Sequence, residues 1–373
     1  MPAFAAVKAG SSCKKAGVTT VASGKKFTCV KSGKKFVWNK GVTIQVPSAP
    51  APSSEPSPSA SAEPASAYPK SPTSFDDLVE NYKGISYGAW SKSQAKIKSS
   101  EKTDFTYKLV LGPNSTLTNK EPTVAFHLVT RLYSGYAKPG DVYFLAFNFE
   151  DRDWAAKQMN SIMPNAVSQW IYDVACPSKE MCDGGGAYFD GSNKYLVVET
   201  VGLINENTTS GTLEAHEFTH TIQQKTMGSP RPPVEFLTSP WLPNWYWEGQ
   251  ARFAQDAAIW SNSFETYLRV RNATSGGLIQ STQYNSKYIE EYFVLNPNKE
   301  WGAKHARQRQ YDLGARLIEV LTAIKGPDST MEMWKLAGSG SSLEAAFEKV
   351  YGTPFKTALP IISKAIALDL GRN

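Results

Sequence analysis

Thr212-Leu-Glu-Ala-His216-Glu217-Phe-Thr-His220-Thr-Ile-Gln-Gln224 is the stretch on which the reading of this chain turns. It holds no Gly or Pro and is rich in helix formers, so it predicts a helix. Residues at i and i+4 share one helix face, so His216 and His220 can reach a single metal ion. Glu217 stands one residue along, beside that ion. It can take a proton from a metal-bound water without being a ligand. Two of the chain's four His lie in this pattern.

A hydrolytic zinc site takes three protein ligands and leaves a fourth position for water. Trp245-Tyr-Trp-Glu248-Gly-Gln-Ala-Arg-Phe253 follows Pro243 and opens another helix, placing Glu248 28 residues after His220. That predicts Glu248 as the third ligand. From Thr212 onward the pattern is almost entirely helical, broken by the Pro-rich loop 228–243. Upstream of the motif, Asp141–Phe149 reads as a buried strand. Ala187–Asp190 and Lys194–Val201 flank the turn Gly191-Ser-Asn193 as a hairpin. Ser74-Phe-Asp-Asp77 predicts the start of a helix running towards Lys96. Pro122 predicts one reaching about Tyr133, and Asp151–Met163 has helical periodicity. A small mixed or antiparallel sheet followed by a mainly helical lobe, with the metal site between them, is an α+β fold.

His-Glu-x-x-His followed by Trp-x-Glu-Gly-x-Ala-x-aromatic resembles the gluzincins, the zinc metallopeptidases that include thermolysin and the leukotriene-hydrolase-like aminopeptidases. The resemblance covers about residues 120–370. It continues at Tyr311-Asp-Leu-Gly-Ala315, similar to the family's Tyr-x-x-Gly-Ala/Ser, and ends at Leu343–Gly352, like the terminal helical repeat of smaller members. It implies His216, His220 and Glu248 as zinc ligands, Glu217 as the base and Tyr311 as the oxyanion stabiliser. His305 is a weaker second donor, in the basic run Lys304–Arg309, and Tyr246 a reserve candidate for the Tyr311 role. It also implies that an edge strand, read here as Lys194–Val201, pairs with an extended peptide substrate. The chain departs from related patterns. Gln223 and Thr226 stand where metzincins need Gly and His, no Gly-x-Met-Glu-Asn occurs, and no thermolysin-type calcium cluster is legible.

The rest of the chain frames this body, residues 74–373. Residues 47–73 are almost entirely Pro, Ser and Ala, which predicts an extended spacer. Residues 1–46 carry nine Lys and no Asp or Glu, a charge of +9; the whole chain is +6, so the remainder is 6 − 9 = −3. A nucleic-acid function read from the overall charge is therefore excluded, and the basic head reads as a solvated lysine-rich surface or, as the functional alternative, as adhesion to an anionic surface polymer. Ser23-Gly-Lys-Lys-Phe27 recurs as Ser32-Gly-Lys-Lys-Phe36, each leading into a β-prone stretch, which predicts a hairpin. This head resembles small modules of secreted actinobacterial proteins. Ala3-Phe4-Ala5 has the form of a signal-peptidase site, so the protein is expected outside the cell. Four Cys allow three pairings; pairing within each domain gives Cys13–Cys29 and Cys176–Cys182. No run of about 18 apolar residues exists to span a membrane. The function expected is a secreted zinc metallopeptidase. The alternatives are a zinc hydrolase of non-peptide amides or esters, and a surface-binding protein with an inert peptidase-like body.

Overall fold

The computed structural model describes residues 8–22, 25–43, 68–102, 104–136, 140–201, 203–232, 239–294 and 308–372. The signal-like Ala3–Ala5, the spacer up to residue 67, part of the loop 228–243 and His305 lie outside these. The chain divides into two units, Met1–Ala65 and Ser66–Asn373.

The first unit is a small antiparallel sheet. Strands β1 (Thr19–Ala22), β2 (Lys25–Ser32) and β3 (Lys35–Trp38) lie in that order, and β4 (Val42–Thr43) also pairs with β2. Ser32 pairs with Lys35, so Gly33-Lys34 is the two-residue turn, and Gly33 adopts φ +62° as a hairpin turn of this length requires. The predicted hairpin is β2–β3; β1 and β4 enlarge it by pairing with opposite edges of Lys25-Lys26 in β2. Cys13 and Cys29 form a disulfide. All nine lysines of residues 1–46 are exposed.

The second unit is built on a mixed sheet of β5 (Thr106–Leu111), β6 (Asp141–Phe147), β7 (Gly185–Phe189) and β8 (Lys194–Thr200). Their order is β5-β6-β8-β7, with β5, β6 and β8 parallel and β7 antiparallel to β8. Side chains alternate along a strand. Val142, Phe144 and Ala146 of β6 therefore join Phe126 and Phe218 in one core, while Leu145 and Phe147 join Ala155 and Met159 of the helix Arg152–Ile162 in another. A Cys176–Cys182 disulfide closes a loop in that second core.

Two local readings change. The first helix of this unit starts at Ile85, not near Ser74. Asp77 does not cap a helix; its carboxylate accepts from the backbone N–H of Thr73 and Ser74, and this side-chain pairing holds the segment in turns. The residues just before it also pack on this unit, with Tyr68 stacked on Tyr87 at 4.2 Å. The second change concerns Lys194–Thr200. It is paired on both sides, so the sheet edge next to it belongs to β7, and β5 forms the opposite edge. Parallel crossovers put β8 inside the sheet, an order that strand periodicity does not reveal.

Downstream of the sheet the unit is helical: Thr212–Met227, Asn244–Ile259, Phe264–Thr274, Arg309–Lys325, Pro327–Gly338, Leu343–Tyr351 and Phe355–Asp369 are its main helices. Among the described residues no helix is long and apolar enough to cross a membrane.

Candidate metal centre

The helix Thr212–Met227 is bounded by glycines in the left-handed region, Gly211 at φ +92° and Gly228 at φ +80°. Gly228 ends it by donating its N–H to the Gln224 carbonyl. The helix lies between the sheet and the helical lobe, so nearly its whole circumference is covered. His216, Glu217 and His220 are each buried, at 7%, 6% and 5% exposure.

Glu248 reaches the two histidines from the helix Asn244–Ile259. Its Oε2 lies 3.4 Å from His216 Nε2 and 3.3 Å from His220 Nε2. One ligand atom from each of the three residues falls within 4.8 Å of the others, so the group can hold a metal ion.

The hydrogen bonds behind the histidines fix which nitrogens face that point. His220 Nδ1 is 2.7 Å from Gln223 Oε1. Gln223 Nε2 donates to the Trp247 carbonyl and to Gln250 Oε1, so its oxygen must be the atom facing His220. Gln250 is held in turn by Trp334 Nε1 and by its own bond to Thr330 Oγ1. His216 Nδ1 is 2.9 Å from Gln255 Oε1, while Gln255 Nε2 donates to Asp256 Oδ1. Both Nδ1 atoms therefore carry the proton, and both Nε2 lone pairs face a carboxylate oxygen. Acceptors opposed at this distance fit a shared cation, and this outer set of partners is what a metal-bound imidazole requires.

Packing holds the same rings. The His220 ring stacks on Trp247, with centroids 4.2 Å apart and planes at 4°. The Arg231 guanidinium covers the other side of Trp247 at 4.7 Å. Burial alone would push the Glu248 carboxyl up, whereas positive charge at His220 and His216, present when their rings are protonated, pulls it well below the usual range. Glu217 differs. Burial, opposed by positive charge at His216 and reinforced by Glu248, pushes it up to about 7. A carboxyl near 7 is matched to accepting and returning a proton at neutral pH.

Strand β7 runs against this glutamate. A Cβ on Gly185 would stand 2.6 Å from Glu217 Oε1, so only glycine admits the approach. On the opposite side comes the helix Arg309–Lys325. Gly314 faces Gly249, and a Cβ on Gly249 would lie 2.3 Å from the Gly314 backbone. This close approach, expected from Gly314 in the sequence, sets Tyr311 in the first turn of its helix with its ring 5.9 Å from that of His216.

The geometry thus gathers His216, Glu217, His220, Glu248 and Tyr311. Tyr246, a reserve candidate for the role given to Tyr311, is fully buried, and its hydroxyl donates to the Thr330 carbonyl. Gln223, Gln255 and Trp247 were not singled out as site residues. Gln223 and Gln255 carry a signal of spacing: Gln223 is three residues after His220 and Gln255 seven after Glu248, each on its ligand's helix face. Comparison of the chain with known family models, with curated proteins and with solved structures finds no match.

Proposed function

We propose that this protein is a secreted zinc metallopeptidase of gluzincin type. One observation carries the reading: two unprotonated Nε2 atoms and a carboxylate oxygen converge on one buried point, with an unligated glutamate on the adjacent helix position. Two nitrogens and one oxygen suit zinc, and three protein ligands leave a position for water. His216, His220 and Glu248 would hold the zinc ion, which would supply Lewis acidity, lowering the pKa of water to about 7 and polarising the scissile carbonyl.

The remaining steps belong to the chain's own side chains. Glu217 accepts the proton of the attacking water and returns it to the leaving amine. The Tyr311 hydroxyl donates to the oxygen on which negative charge develops. The free edge of β7 offers backbone groups to an extended peptide, and the Gly185 contact brings that edge to Glu217. Two intra-unit disulfides agree with an oxidising compartment. The nine exposed lysines of the first unit suit an anionic cell-surface polymer.

The test is hydrolysis of a peptide library with and without a chelator, alongside metal analysis. About one zinc per chain and chelator-sensitive cleavage are expected. A zinc-loaded protein that cleaves esters or non-peptide amides but no peptide would overturn the substrate class. One that binds no metal would overturn the whole reading.

A further inference from the structure

Strand β7 carries an aromatic corner on the face of the sheet turned away from the helix Thr212–Met227. Side chains alternate along a strand, so Gly186 and Tyr188 share one face while Gly185 and Ala187 share the other. The Gly185 face meets Glu217, and the Gly186 face meets Trp170. A Cβ on Gly186 would stand 2.9 Å from Trp170 Cη2 and 3.0 Å from Cζ2, so the indole fills the place that a side chain here would occupy. The Tyr188 ring meets the indole edge-on, with centroids 6.1 Å apart and planes at 76°. Both rings rest on the core that holds Leu145 and Met159, and both stay half-buried.

Backbone pairing sets how a peptide on this edge would lie. The Thr200 N–H donates to the Gly184 carbonyl just before β7, and the Asp190 N–H to the Lys194 carbonyl just after it, at 2.9 and 3.3 Å. Hydrogen-bonded pairs recur at every second residue of an antiparallel ladder, so Gly186 and Tyr188 turn their backbone groups inward to β8. Those of Gly185 and Ala187 turn outward to the edge, where the Ala187 carbonyl takes a 3.4 Å bond from Gln224 Nε2. A peptide strand held there places one residue directly opposite Gly186. Directly opposed residues put their side chains on the same face, with Cβ positions about 4.5–5.5 Å apart. Gly186 has no side chain to meet that residue, so its neighbour is the Trp170 indole, with Tyr188 on the diagonal.

We propose that Trp170 and Tyr188 form a specificity subsite that takes an aromatic or large aliphatic side chain of the substrate, at the residue paired with Gly186. The inference rests on the peptidase reading and on β7 as the strand that holds the peptide. The walls fix the class of occupant: two half-buried aromatic rings gain most from covering a further apolar surface, and from an aromatic one by edge-to-face contact. Peptide residues opposite Gly185 and Ala187 point to the face of Glu217, so the selected residue adjoins one that lies beside the proposed base.

The test is a peptide library varied one position at a time and digested by the full chain. The wild type should favour Phe, Tyr or Leu over Ala at one position by about 10–100-fold in kcat/KM. Trp170→Ala should bring that ratio towards one while preferences at other positions hold. Trp170→Lys should move the preference at the same position to Asp and Glu, which a damaged fold cannot produce. Trp170 stands at the start of the short helical segment Ile171–Ala175, and zinc content reads whether each variant has folded. If Trp170→Ala loses zinc, Trp170→Leu, which keeps an apolar contact over Gly186, takes its place and should lower the preference for Phe over Leu. Wild-type cleavage indifferent to aromatic and large aliphatic residues at every position overturns the proposal, and so does a preference that the Trp170 variants leave unchanged. Absence of chelator-sensitive cleavage of any peptide is instead the failure of the peptidase reading, and the subsite falls with it.

Discussion

The two units solve the problem of stability in opposite ways. In the first, Phe27 and Cys29 are the buried apolar residues among those described, and the Cys13–Cys29 bridge ties the sheet to the segment before it. In the second, two apolar clusters sandwich a mixed sheet, and aromatic residues such as Phe126, Phe144, Trp245 and Trp334 are fully buried. A chain of about 40 residues cannot bury enough surface to stand alone without a staple, whereas one of about 300 can. The surplus in the larger unit lets it bury polar groups that a smaller core could not tolerate: His216, His220, Glu217 and the glutamines behind the histidines. The candidate metal site accordingly sits in the packed unit, and unshielded charge in the stapled one.

The sharpest way to break this contrast is to remove the base. Glu217→Gln should lower peptide hydrolysis by about 10²–10⁴ while metal content and the state of the first unit stay unchanged. Full activity would show that the packed unit does not work through Glu217. His216→Ala should lose both metal and hydrolysis.

Next comes the staple. Cys13→Ser with Cys29→Ser removes about 2–5 kcal/mol from the first unit. Amide exchange over β2 and β3 should become unprotected while the melting of the second unit and its hydrolysis of a short peptide hold. A fall in the larger unit's melting temperature would mean that the units do not stand independently.

Tyr311→Phe tests the site at finer grain. It keeps the ring beside His216 and removes only the hydroxyl. One lost oxyanion donor costs about 10²–10³ in kcat, with metal content and melting temperature near wild type. An unchanged kcat would make Tyr311 a packing residue. Smaller again is Gln223→Ala. It frees His220 Nδ1 and should weaken metal affinity about 10–100-fold, read by competition with a chelator of known affinity. Gln223→Glu, which restores an acceptor, should recover most of it.

How much of this was legible follows from what each signal depends on. His216, Glu217 and His220 are visible because i, i+4 spacing on a helix is local. Gly314 is visible for a similar reason: a glycine inside strong helical periodicity asks for a close neighbour, and Gly249 is that neighbour. The hairpin β7–β8 is local and was read, with β7 starting two residues earlier than expected. The free edge was assigned to the wrong strand because strand order is set by crossovers, which leave no periodic trace. β5 went unread because Thr106–Leu111 alternates weakly on a half-exposed edge. Gln223 and Gln255 appear as ordinary polar helix residues until the tertiary fold turns them behind the histidines.

The last prediction uses acidity to separate the units. Residues 1–46 hold no Asp, Glu or His, so melting of the first unit should be flat between pH 5 and 8. The second unit buries Glu214, whose Oε1 accepts from Asn119 and whose Oε2 has no partner. Burial pushes its carboxyl up to about 7, against an ordinary value of 4.5. Glu199, buried nearby, is pushed up as well, first by burial and then by Glu214 and Glu217. A carboxyl with a raised folded pKa binds its proton more tightly in the folded chain. The stability it adds is complete below 4.5 and is lost as pH rises through 7. The second unit should therefore melt lower at pH 8 than at pH 5. Glu214→Gln removes the ionisation and should reduce that difference. The full linkage is a few kcal/mol, but the new amide brings a buried donor with no acceptor, so the net gain at pH 8 should be about 1 kcal/mol, a rise of a few degrees. At pH 5, where Glu214 is already protonated, the same substitution should be neutral or slightly destabilising. An equal effect at both pH values would mean that the carboxyl is not held neutral by burial, and the packed unit would lose its claim to tolerate buried acids.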